Sequence, residues 1–207
     1  MPTVQQITRV EGPGIAVRGN DIDTDRVIPA RYLREITFEN LGAHAFEDDR
    51  KALGGKHPFD DPRHRQAKVL VVNRNFGSGS SREHAPQALH RWGIDAVVGE
   101  SFAEIFFGNC VAIGVPCVTL DPNQIEALQS LVEEEPSAAV TVDVATGRVS
   151  ASGATFQGKL PAGVQRSYLT GEWDALGLLV EGSEAAQATV KRLPYLNGFV
   201  SQSDLST

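Results

Sequence analysis

The sequence predicts an α/β domain with a mainly parallel central sheet and flanking helices. From residue 67 to residue 120, Val- and Ile-rich runs alternate with runs of helical period, in the order β–α–β–α–β. The runs themselves are short and almost continuously apolar, as in strands covered on both faces. A glycine-rich stretch, Asn73 to Ala85, follows the first of them, and parallel sheets bind ligands beyond the C-terminal ends of their strands.

Taken in order, Val10–Gly19 reads as a strand bounded by glycines, and Asn20–Arg26 as a turn holding Asp21, Asp23 and Asp25. These acids lack the central Gly and terminal Glu of a calcium loop, so side-chain-to-backbone bonds are expected of them. Val27–Ile36 reads as a turn leading into a short helix, with Arg31 and Arg34 sharing a face. Phe38, Leu41, Ala45 and Phe46 have near-helical spacing, which predicts a helix over 37–46 with Gly42 as its weak point. Residues 48–66, poor in apolar side chains, are expected to form a flexible loop: a lid, a partner contact or an insertion.

Strand 67–73 follows, then the glycine loop and a helix to Trp92 whose stripe is Ala85, Ala88, Leu89 and Trp92. Its start is open: Ser81 would put Pro86 inside the helix, whereas a start near Pro86 leaves an irregular turn before it. Strand 94–98, helix 102–113 and strand 115–120 complete the rhythm. A helix over 122–134, a hairpin of 139–143 with 148–151, helices over 167–179 and 185–193, and a frayed tail at 198–207 finish a single domain.

With 207 residues, 41% hydrophobic content and a net charge of −7, the chain has an ordinary soluble composition. The acidic balance argues against general nucleic-acid or membrane-surface binding, and no apolar run reaches a membrane span. No basic-then-apolar signal opens the sequence, so a cytoplasmic location is expected. Cys110 and Cys117 sit in apolar surroundings and cannot alone ligate zinc or an iron–sulfur cluster. They read as buried structural thiols.

The glycine loop reads as a strand–loop–helix anion site. Gly77 and Gly79 let a ligand approach the backbone, while Ser80, Ser81 and Arg82 supply two hydroxyls and a guanidinium. Ser80 to Glu83 also fits a capping box. The loop has neither the Gly-Lys-Ser/Thr ending of a phosphate loop nor the third glycine of a dinucleotide fingerprint. Ser80 and His84, four apart, could form a nucleophile–base pair of a stand-alone hydrolase, although nothing marks a third orienting group. A carboxylate-binding reading remains beside it.

Three segments carry a resemblance: Asp23–Pro29, Asn75–Ala85 and Ser101–Asn109. In that order they resemble the swivel domain of the aconitase superfamily, and within it the small subunits of two-subunit isopropylmalate dehydratases, over about residues 10–195. The resemblance implies a hydro-lyase that interconverts 2- and 3-isopropylmalate in leucine biosynthesis. It also implies a heterodimer with a large subunit that carries a [4Fe–4S] cluster, this chain binding no cofactor of its own. Carried over, Ser80 is the base, Asp25 lies near it, and Ser81, Arg82 and Gly79 meet a di- or tricarboxylate substrate. Ser78 stands where the family often has Cys, a small-for-small change. Tyr32–Gly42 departs from the usual family sequence, and Arg34 after Tyr32-Leu33 resembles relatives that accept an extra carboxylate. Homoaconitate, citraconate or another methylated malate therefore stands as an alternative substrate.

Overall fold

The structure is a computed structural model that describes residues 5–35, 37–79, 83–175, 177–178 and 183–196. Contacts divide the chain into Gln6–Trp173 and a smaller unit of Met1–Gln5 with Asp174–Thr207. In the smaller unit the described elements are the helix Ser183–Arg192, within a residue or two of its predicted bounds, and a 3-10 turn at Pro194–Leu196. The tail beyond Gly198 lies outside the described residues. Among those described, no helix is long and apolar enough to cross a membrane.

The larger unit is built on one seven-stranded sheet. Its strands are β1 (Arg9–Val17), β2 (Val69–Val72), β3 (Ala96–Gly99), β4 (Cys117–Thr119), β5 (Ala139–Asp143), β6 (Arg148–Ala151) and β7 (Ala154–Gln157), in the order β4-β3-β2-β1-β5-β6-β7. Strands β1 to β4 pair in parallel, which is the predicted β–α–β–α–β run, and β5 to β7 add an antiparallel half. Strand β1 serves both: Arg9–Pro13 ladders with β5, and Gly14–Val17 ladders with β2. β7 had no sequence expectation. It follows the two-residue turn Ser152-Gly153, both at positive φ, which suits the twist of a hairpin.

Alternation sorts the strands between two cores. Ile15, Val17, Leu70, Val72, Val97 and Cys117 face α3 (His84–Trp92) and α4 (Glu104–Ala112). Ala16, Val69, Val71, Ala96, Val98 and Val118 face the opposite way, under Ile125, Leu128 and Val132 of α5 (Pro122–Glu134). Helix α5 starts as predicted, with Pro122 in its first turn and Asp121 and Gln124 closing a capping box. Helix α3 begins at His84, so Pro86 falls in the first turn, where its missing N–H has no intrahelical acceptor to lose.

Two expectations are corrected on the α3 face. The helix predicted over 37–46 is a single 3-10 turn, Leu41–His44, after which Phe46 is left-handed at φ 54°. Gly42 explains this: a Cβ there would lie 2.5 Å from the Arg91 carbonyl carbon, so the backbone presses directly on α3. The loop expected at 48–66 is also folded. It holds α2 (Glu47–Ala52) and the 3-10 turns Pro58–Asp60 and Pro62–His64. Its few apolar side chains are well placed, for Phe59 is 5% exposed and packs on Phe46 and Trp92 at ring-centroid distances of 4.7 and 4.4 Å. His57 and His64 are buried too, polar residues that a count of apolar side chains overlooks. Beyond β7, the helix predicted over 167–179 is corrected: α6 (Ala162–Thr170) starts directly after Pro161 and is ended at Gly171, left-handed at φ 84°.

Phe59→Ala is expected to destabilise the chain by about 3–5 kcal/mol, as for other buried aromatic truncations, measured by urea denaturation; a loss below 0.5 kcal/mol, the usual surface value, would mean that this segment does not pack. Gly77 sits at φ +77° with a Cβ position 2.2 Å from Phe106 Cγ. Gly77→Ala is expected to cost roughly 2–4 kcal/mol in the same assay, from strain and overpacking together.

Candidate active site

Three loops leave the C-terminal ends of β1, β2 and β3, and the polar residues at their starts tie them together. The Asn73 amide accepts from Gly19 N at 2.9 Å and from Gln129 Nε2 at 3.1 Å, and donates to Glu100 at 2.8 Å. Asn75 N donates to Ser101 Oγ at 2.9 Å, and its side chain donates to Asp21 at 2.9 Å. Backbone bonds continue the seam: Gly77 N to Ile22 O and Thr24 N to Ser78 O, both 2.8 Å, and Ala103 N to Phe76 O at 3.0 Å. The three segments singled out in the sequence therefore meet at one end of the sheet.

Asp25 is the second residue of α1 (Thr24–Val27), one helical turn capped by the Asp23 side chain, which accepts from Arg26 N at 2.8 Å. Asp23 thus makes the side-chain-to-backbone bond expected of this cluster. Asp25 itself is exposed. Gly79, at φ +94°, abuts the same turn: a Cβ there would lie 3.4 Å from Asp23 Cβ and 3.6 Å from Thr24 Oγ1. Asp25 and Gly79 are thus brought to neighbouring turns. Ser80, Ser81 and Arg82 lie outside the described residues. The chain is described again at Glu83, whose carboxylate accepts from Gln87 Nε2 at 3.1 Å, one turn into α3.

His84 follows, edge-on to Phe38 at 5.1 Å, with its Nε2 buried and without a hydrogen-bond partner among the described residues. A histidine serving as base of a hydrolase triad needs an orienting acceptor on its second nitrogen, and no described residue is seen in that role. Arg34 ends a 3-10 turn, Ala30–Arg34, and is exposed to solvent. No hydrogen bond joins it to the loops of Asp25 or Gly79 among the described residues.

Sequence reasoning left the acids of α2 unassigned. Glu47 accepts from Tyr32 and Lys51, and from His44 Nδ1 at 3.0 Å. Burial raises its carboxyl, but the hydrogen bonds from Lys51, Tyr32, Arg31 and His44 outweigh this and hold it at about 2. Asp48 and Asp49 pair with Arg31 and Arg26. The signal was the run of three acids opening a helix, which favours its N-terminus.

Among the described residues no group of three or more His, Cys, Asp or Glu comes together. Cys110 and Cys117 are both buried in the α3–α4 core, and burial, with the Cys117 thiol beside it, pushes the Cys110 thiol well up. Both are structural thiols, as their apolar surroundings suggested.

Comparison with known proteins agrees with this geometry. Residues 5–123 match the family of the aconitase C-terminal domain. A 3-isopropylmalate dehydratase small subunit from Synechocystis is 51% identical over 194 residues, 94% of this chain and 97% of that protein. One from Thermus thermophilus is 44% identical over 195 residues, 93% and 97% of the two chains. The solved structure of a 3-isopropylmalate dehydratase from Methanocaldococcus jannaschii superposes with a TM-score of 0.64 at 25% identity, over 85% of this chain and 99% of that one. With relatives matched at up to 51% identity along nearly their whole length, the chain belongs to the 3-isopropylmalate dehydratase small-subunit family of aconitase-type hydro-lyases.

Proposed function

We propose that this chain is the small subunit of a two-subunit hydro-lyase that interconverts 2-isopropylmalate and 3-isopropylmalate by dehydration and rehydration, in the cytoplasm, for leucine biosynthesis. The observation that carries the reading is the convergence of the 18–26, 73–79 and 100–103 loops at the C-terminal end of the parallel strands. A rigid end of this kind can hold a short polar loop against a small anion.

In this reading Ser80 removes the proton from the substrate carbon and returns one in the reverse sense. A serine hydroxyl is a weak base at neutral pH, so it needs preorganised positive surroundings from which water is excluded. Arg82 supplies charge by clamping a substrate carboxylate, Ser81 hydrogen-bonds the substrate, and Gly79 lets it come close to the backbone. The same reading assigns Asp25, on the turn next to Gly79, to the neighbourhood of the base. The large subunit closes the site, and its [4Fe–4S] cluster supplies the Lewis acidity that loosens the substrate hydroxyl. The two cysteines of this chain are core thiols and do not suit that role.

A second substrate reading rests on Arg34. It is an exposed cation on the segment where this sequence departs from its family, suited to an additional carboxylate such as that of homoaconitate. Relative kcat/KM of the reconstituted pair on 3-isopropylmalate, homoaconitate and citraconate decides between the two.

Ser80→Ala is expected to lower kcat at least 10²-fold while cluster content and subunit assembly stay as in the wild type. Near-normal turnover would remove Ser80 from the role of base. Arg82→Ala is expected to cost about 2–5 kcal/mol in kcat/KM, the range for breaking a desolvated charge pair, read from steady-state kinetics.

A further inference from the structure

The turn Ala30–Arg34 carries two arginines in very different surroundings. Residues three apart on a 3-10 turn eclipse one another, so Arg31 and Arg34 lie on one face. Asp48 grips Arg31 fork to fork, Nη1 to Oδ2 at 2.9 Å and Nη2 to Oδ1 at 2.7 Å, with Glu47 Oε2 at 3.2 Å. The Arg31 guanidinium also lies over the Tyr32 ring, 4.9 Å from its centroid, and that ring stacks on His44 at 3.9 Å. Arg26, on α1, is held comparably by Asp49 through Nε at 3.0 Å and Nη2 at 2.8 Å. Arg34 forms no ion pair with a described carboxylate. Three successive acids at the start of α2 thus take up two arginines and leave the third.

We infer that Asp48 is a positioning residue for substrate selection: by holding Arg31 against α2, it leaves Arg34 as the one uncompensated guanidinium that this turn presents. The inference rests on the reading above that Arg34 faces the substrate's side group. The number of free cations there sets what is accepted. One arginine can lay its aliphatic stem along an alkyl group or pair with a single carboxylate. Two would favour a further carboxylate and leave an unpaired charge against an alkyl group. Folding is a poor reason for the pair, because Asp48 is 54% exposed at its side chain and Arg31 46%, and exposed pairs contribute little stability.

The test uses the two-subunit enzyme with 3-isopropylmalate and homoaconitate. Asp48→Asn, which breaks the charged fork to Arg31 and leaves it only the longer Glu47 contact, is expected to raise kcat/KM for homoaconitate relative to 3-isopropylmalate about tenfold, the worth of one charge-assisted contact, mainly through KM. If homoaconitate is not turned over, its inhibition constant against 3-isopropylmalate falls by the same factor. The kcat on 3-isopropylmalate stays within about twofold. Asp48→Glu keeps the wild-type ratio, and the double variant Asp48→Asn/Arg31→Ala returns to it, which a merely loosened turn would not do. An unchanged ratio in Asp48→Asn, beside a changed ratio in Arg34→Ala, overturns the positioning role and leaves the reading of Arg34 intact. An unchanged ratio in Arg34→Ala overturns both.

Discussion

Strand β1 must belong to two ladders of opposite sense, and everything else in the larger unit is arranged around that demand. It changes partner between Pro13 and Gly14. Proline lends no N–H to either ladder, while its carbonyl accepts from Lys68 N at 2.8 Å and starts the parallel pairing. The glycines on either side are required by crowding: a Cβ on Gly12 would stand 2.4 Å from Lys68 Cγ, and one on Gly14 would stand 2.5 Å from Val132 Cγ1. The sheet can be closely covered at its joint because two residues there have no side chain.

The joint also separates duties. The parallel half carries its loops, and with them the candidate site, at the C-terminal ends of β1 to β3. The antiparallel half meets β1 at its opposite, N-terminal end and supplies Val140, Val142 and Val149 to the core beneath α5. Several arginines of this unit are held by acids from neighbouring elements. Arg18 is taken by Glu126 and Glu133 of α5, Arg26 and Arg31 by α2, and Arg50 by Asp60. An acidic protein that handles anions needs its free positive charge confined to a few places, and pairing the remainder achieves this.

Much of this was legible locally. Asp121-Pro122 with Ile125, Leu128 and Val132 states where α5 begins and which side it buries, and Thr146-Gly147 between alternating runs states a hairpin. The three segments that carry the resemblance lie far apart in sequence, and their described parts meet at one end of the sheet. Long-range or crowded features were hidden. Gly42 ends a helical pattern by pressing on Arg91, fifty residues away, and only the folded chain contains that contact. Segment 48–66 reads as loop because it packs with histidines and one phenylalanine, and Ala154–Gln157 reads as nothing because Phe156 is its single large apolar side chain. The α2 acids look like an ordinary charged helix start until their arginine partners are located.

The Asn73 side chain, half-buried between the loops after β1 and β3 and helix α5, has a consequence for how the site comes into being. One amide accepts twice and donates once, so its displacement would leave Gly19 N, Gln129 Nε2 and the Glu100 carboxylate short of a partner together. The loops have little regular structure of their own to fall back on. The three neighbours thus share one fixed point, and a change at Asn73 loosens all of them at once.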